Sequence, residues 1–201
     1  MSEKNNFVFR FTNFKFEEEE NTHINKMPFS GVCLHSDTPS DGVPCGSDKP
    51  VKFSKEAIEK ALDSFVGMGV NCEYDSWDYP EIALTGHNER FKIGVVESAE
   101  LLENGDVFIK GNLWKQDFYD VCFMIKNAKD SLGFSVEVSV DGMSDIGESY
   151  SVDSFTFTGV AILYKNLGAF KGTQLSAQRK KESDNVMNNE QLIINWINTI
   201  Y

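Results

Sequence analysis

Ser131-Leu132-Gly133-Phe134-Ser135-Val136-Glu137-Val138-Ser139-Val140 is the stretch on which the reading of the fold turns. From Phe134 onward apolar and polar residues alternate, the two-residue period of a half-buried strand. Gly133 reads as the end of a helix, where the missing Cβ permits an unusual backbone angle. Ser135 therefore stands at a helix-to-strand junction, on the face opposite Phe134 and Val136. Toward the C-terminus, Phe155 to Tyr164 is a further strand, and its second half is apolar enough to be buried on both faces. Toward the N-terminus, Asp117 to Lys129 carries Phe118, Val121, Cys122 and Ile125 at helical spacing. Asn104-Gly105 is a two-residue hairpin turn between a strand from Phe91 to Glu100 and one resuming at Val107 and Ile109. Ser54 caps a helix with Glu56 in its first turn and an apolar stripe of Ile58, Leu62 and Phe65, ended by Gly67 and Gly69. Phe29 to Leu34 begins a strand, and Asp37 to Lys49 is a loop. The sum is α+β, mostly strands with two helices between them. A barrel or curled sheet fits this better than a doubly wound parallel sheet.

Around this dense region, residues 27–176, the pattern thins. Residues 1–26 read as an N-terminal appendage with one candidate strand at Phe7, Phe9 and Phe11, followed by the acidic run Glu17 to Glu20. Residues 177–190 are polar and aperiodic, a linker that includes Arg179-Lys180-Lys181. The end of the chain returns to apolar character, with Leu192, Ile193, Trp196, Ile197 and Ile200 at helical spacing. Residues 177–201 are thus read as a linker and tail.

Composition narrows the function classes. Across 201 residues, 31 Asp and Glu face 19 Lys and Arg, a formal charge of −12, which argues against a concentrated basic face for nucleic acid. No apolar run approaches the ~20 residues of a membrane span, and the N-terminus has no signal-peptide pattern, so a non-secreted protein is expected. Cys33, Cys45, Cys72 and Cys122 form no C-x-x-C pair, and the three histidines, His23, His35 and His87, form no H-E-x-x-H. No metal site and no cofactor is expected.

Two residues remain as candidates for chemistry. His87 lies in Leu84-Thr85-Gly86-His87-Asn88-Glu89-Arg90, where a turn sets an imidazole just before a strand. Ser135 sits at an element end, where a scaffold can hold a nucleophile while leaving it accessible. A hydroxyl needs a base to take its proton, and His87 is the best supplier.

The order of motifs resembles a family. Met27-Pro28-Phe29-Ser30-Gly31-Val32, the helix from Ser54, Thr85-Gly86-His87, Phe91-Lys92-Ile93-Gly94-Val95-Val96, Asn104-Gly105-Asp106-Val107, Gly133-Phe134-Ser135-Val136 and Phe157-Thr158-Gly159-Val160 follow one another as in the tailed-phage prohead (capsid maturation) proteases, related in fold to the herpesvirus assembly proteases. The resemblance implies a mainly antiparallel β-barrel of about seven strands with helices around it. It also implies a serine endopeptidase with Ser135 as nucleophile and His87 as general base. The substrates it implies are scaffold and major capsid protein segments, and the chain's own tail, inside the assembling procapsid in the host cytoplasm. It allows a homo-oligomer, and nucleic acid and membrane are not expected as partners.

In that family a third polar residue usually opens a late apolar strand, and Gly159 occupies the place here. The role then falls to Asp153, Thr158, Glu137, Glu89 or a water, or stands vacant; Asp153 is carried forward as the third catalytic member. Lys165 and Asn166, just past the strand, are weaker candidates to assist. The alternative is a catalytically inactive assembly protein that retains the protease fold.

Overall fold

A computed structural model of the chain describes residues 5–11, 23–75 and 83–167. Eight strands form one sheet: β1 (Asn5–Phe11), β2 (Lys26–His35), β3 (Val51–Phe53), β4 (Gly69–Asn71), β5 (Lys92–Leu101), β6 (Asp106–Trp114), β7 (Leu132–Asp145) and β8 (Tyr150–Tyr164). The spatial order is β1-β7-β8-β4-β5-β6-β2, with β3 paired to β8 beside this path. The strand expected at Phe7 to Phe11 is β1, which runs antiparallel to β7 and brings Arg10 into register with Ser135.

The architecture is α+β and, with five of its seven strand pairings among the described residues antiparallel, mainly antiparallel as expected; two features refine the expected barrel. The sheet is mixed, because β3 and β4 both run parallel to β8. It is also a curled half-barrel: β1 and β2 end the strand order yet approach each other, with no ladder between them among the described residues. The linker and tail, residues 177–201, lie outside the described residues.

Helix α1 (Lys55–Ala61) begins where Ser54 accepts a hydrogen bond from the Ala57 amide, 3.2 Å. A 3₁₀ turn, Leu62–Phe65, continues it and docks on β8. There Ser64 Oγ donates to the Ala61 carbonyl and accepts from the Phe157 amide at 2.9 Å. Phe65 stacks on Phe157 with centroids 4.1 Å apart, and Phe157 and Phe53 each meet Phe155 edge-on. Phe53, Phe65 and Phe157 are almost fully buried. Burying one such ring contributes on the order of 2–3 kcal/mol, so this aromatic ladder fixes α1 against the sheet.

The second helix, α2 (Tyr119–Ala128), buries Val121, Cys122 and Ile125 as the spacing requires. It ends in a 3₁₀ turn at Lys129–Ser131, so Gly133 is not the helix terminus expected of it. Gly133 lies within β7, paired with Leu163. Ser135 is therefore well inside a strand. From Leu132 to Val138 that strand is buried on both faces rather than half-exposed, since the segment bearing His87 covers its polar side.

Candidate active site

Four neighbouring segments converge on one point of the sheet. β7 carries Ser135 and Glu137, two residues apart and hence on one face, with Cα atoms about 6.6 Å apart. On one side β8 sets Gly159 opposite Glu137. Beyond β8, β4 supplies Asn71, which pairs across to Lys92 at the start of β5.

The fourth segment, residues 83–91, brings His87 over this surface and is laced down by its backbone. The Leu84 amide donates to the Glu73 carbonyl and the Glu73 amide to the Gly86 carbonyl, at 2.7 and 2.9 Å. The Tyr164 amide at the end of β8 donates to the Leu84 carbonyl, 3.0 Å. The Asn88 amide donates to Asn71 Oδ1, 3.1 Å. Leu84, fully buried, holds a φ of 60°, a left-handed conformation that a branched side chain adopts only when its surroundings compel it.

The side chains form a relay. His87 Nε2 lies 2.7 Å from Ser135 Oγ, and His87 Nδ1 lies 2.7 Å from Glu137 Oε1. The same carboxylate oxygen accepts from Asn71 Nδ2 at 2.7 Å. Lys92 Nζ stands 3.9 Å from the other oxygen, Oε2. Ser135, Glu137 and Asn71 are buried, while the His87 side chain keeps 13% of its surface exposed.

Burial pushes the Glu137 carboxyl toward its neutral form. The hydrogen bonds from His87 and Asn71 and the charges of His87 and Lys92 outweigh it, leaving the group below its ordinary value and ionised at neutral pH. An ionised carboxylate only accepts, so Nδ1 of His87 carries the proton. Nε2 is then the acceptor that faces the Ser135 hydroxyl. The Asn71 amide is fixed likewise: its oxygen takes the Asn88 N–H, so its nitrogen donates to Glu137. This arrangement can draw a proton from Ser135 Oγ onto His87 and stabilise the resulting imidazolium.

Asp153 does not belong to this cluster. It lies on the exposed part of β8, accepting from Ser144 and Ser151 at 2.6 and 3.0 Å. Gly159 is six residues further along the strand, about 20 Å away. The carboxylate at Nδ1 comes instead from Glu137, the residue opposite Gly159. A Cβ on Gly159 would collide with Glu137 Oε2, so the bare glycine is what lets the acid occupy this place. Thr158 and Glu89 are exposed, and Lys165 and Asn166 fall in the 3₁₀ turn Lys165–Leu167 after β8. Asp153→Ala is accordingly expected to leave the chemistry of the cluster within about 2-fold of wild type, in line with a surface polar substitution. A loss approaching that of His87→Ala, with the fold intact by circular dichroism, would return Asp153 to the site.

Among the described residues no group of three or more His, Cys, Asp or Glu is arranged to hold a metal ion, and no helix is long and apolar enough to cross a membrane. The buried thiols are poor nucleophiles: desolvation, with the charge of Asp120, raises Cys122 to about 12, and burial holds Cys72 higher still.

A hydroxyl, an imidazole and a carboxylate in hydrogen-bonded sequence form the constellation that nucleophilic acyl transfer uses. No protein-family model matches the sequence, and no curated protein matches it significantly. The fold is similar to that of the bacteriophage T4 capsid assembly protease, gp21, with a TM-score of 0.59 and 12% sequence identity, over 81% of this chain and 99% of that one.

Proposed function

We propose that this chain is a serine endopeptidase of a phage procapsid, with Ser135 as nucleophile, His87 as general base and Glu137 as the orienting acid. The observation that carries the reading is the unbroken relay Ser135–His87–Glu137, whose donors and acceptors agree with an ionised carboxylate at one end, a hydroxyl at the other and an imidazole between them. The shared fold with a capsid assembly protease supports the setting. Substrates would be scaffold and capsid protein segments within the assembling shell, together with the chain's own tail at residues 177–189.

In this mechanism Ser135 Oγ attacks the scissile carbonyl carbon as its proton passes to His87 Nε2. Glu137 stabilises the imidazolium and keeps the ring from turning. The tetrahedral intermediate collapses as Nε2 returns the proton to the leaving amine, giving an acyl-enzyme. Water, activated by the same nitrogen, then releases the acyl product and restores the hydroxyl.

The direct test is covalent labelling. An alkyl fluorophosphonate phosphonylates an activated serine with loss of fluoride. One adduct per chain is expected by intact mass, mapped to the peptide containing Ser135 and absent from His87→Ala. An unlabelled Ser135 under conditions that label a control serine protease would contradict the assignment.

A further inference from the structure

The relay ends on a carboxylate, and a carboxylate beside a histidine has two opposing effects. It orients the ring, and it also favours the imidazolium, which cannot accept a proton from serine. The structure holds a counterweight. Lys92 is the cross-strand partner of Asn71, and its stem runs over Gly69, where a Cβ would come within 2.6 Å of Cδ and 3.0 Å of Cε. Its ammonium stands 3.9 Å from Glu137 Oε2, the oxygen that His87 and Asn71 do not use. That oxygen occupies the space a side chain at 159 would take, and a Cβ there would also lie 3.4 Å from the Gly69 carbonyl. Two glycines on adjacent strands, Gly69 of β4 and Gly159 of β8, thus open a slot in which Lys92 and Glu137 meet.

Among the described residues, the titratable groups facing the carboxylate are His87 from the loop and Lys92 from β5. β4 contributes the neutral amide of Asn71, β8 the bare backbone of Gly159, and β1 sets Arg10 in register with Ser135. We propose that Lys92 is a positioning residue for the relay: seated over Gly69, it balances the charge of Glu137, so that the carboxylate aligns His87 without trapping it as imidazolium. The role assigned to Lys92 rests on the serine-protease reading, but the charge balance at His87 is measurable without catalysis.

The first readout is NMR titration of the imidazole ring protons in the full chain, with the His87 signal assigned by its loss in His87→Ala. In Lys92→Met, which keeps the stem and removes the charge, the His87 titration is expected to move to higher pH. Lys92→Arg should leave it near wild type. Gly69→Ala, which displaces the flexible stem, should move it in the same direction as Lys92→Met. The second readout is the pH profile of kcat/KM on a peptide substrate. Lys92→Met should lose about 10-fold on the acidic limb and about 3-fold or less on the alkaline plateau, because the like charge it removes disfavours the imidazolium by roughly one tenfold step at a partly exposed site. A residue serving stability alone would lower the melting temperature and leave both the titration and the limb in place. Superimposable His87 titrations in wild type and Lys92→Met overturn the proposal. A displaced titration in Lys92→Met, alongside a wild-type chain that cleaves no peptide and takes no phosphonate, would uphold the charge balance and remove the protease reading instead.

Discussion

Replacing Ser135 with alanine is expected to lower peptide-bond cleavage by ~10⁴-fold or more, because among the described residues no second hydroxyl is set against His87 Nε2 and the relay's members act as a unit. The fold should survive. Ser135 is buried opposite Ala161, and alanine removes one oxygen without adding bulk. What is lost is a hydrogen bond to His87, a cost of about 1–3 kcal/mol when the partner stays buried, so a modest fall in melting temperature is expected. Co-expression with scaffold and capsid protein reads the result in its setting. The Ser135→Ala chain should remain full length and leave its partners uncut, while wild type trims both them and its own residues 177–189. Cleavage by Ser135→Ala equal to wild type would show the chain to be a structural relative of a protease and no serine protease itself.

Glu137→Gln carries the second large effect, ~10³-fold in kcat, of the order that replacing a triad acid by its amide produces. Here the surroundings sharpen the loss. Asn71 and His87 both donate to Oε1, so a glutamine must keep its oxygen there and turn its amide nitrogen toward the Lys92 ammonium. If it flips, its nitrogen meets two donors. Neither orientation satisfies the site, and neither supplies the charge that stabilises an imidazolium. The substitution should also register in stability. The folded-state value of Glu137 is depressed, so the group contributes stability above its unfolded pKa of about 4.3, which is lost as pH falls through the lower folded value. Acid unfolding of Glu137→Gln should accordingly depend less on pH over that range than unfolding of wild type. Full activity in Glu137→Gln would leave Ser135 and His87 as a dyad.

The parts of this molecule legible in the sequence are those written in local periodicity. The alternation from Phe134 to Val140 appears as β7, the Ser54 cap as the start of α1, and the spacing of Val121, Cys122 and Ile125 as the buried stripe of α2. Ser135 and His87 stand out because histidines are few and both residues sit in recognisable contexts. The mixed character of the sheet is not legible, since β3 and β4 have only three residues each and too little pattern to show their parallel pairing with β8. Nor is the third member of the relay. Ser135 and Glu137 share a face by simple alternation, but Glu137 then reads as a solvated acid on the polar side of a strand. Only the β7–β8 register reveals that it is enclosed and lies against Gly159, and that register passes through three irregularities between Glu137 and Met143. The useful signal is the pair itself: an acid two residues beyond the serine, and an unexplained glycine in a strand otherwise rich in large side chains.

The Glu137–Gly159 contact also couples the two positions. Positions 137 and 159 are 22 residues apart (159 − 137) and can deliver a side chain to one point in space, so a carboxylate there has two addresses on the chain. They are mutually exclusive. Since even a methyl group at 159 would collide with the Glu137 carboxylate, the acid at 137 cannot hold its present pose while 159 bears a side chain. With any side chain at 159 the Glu137 carboxylate would have to swing to another rotamer, so its place beside His87 depends on a residue that itself touches neither the histidine nor the serine.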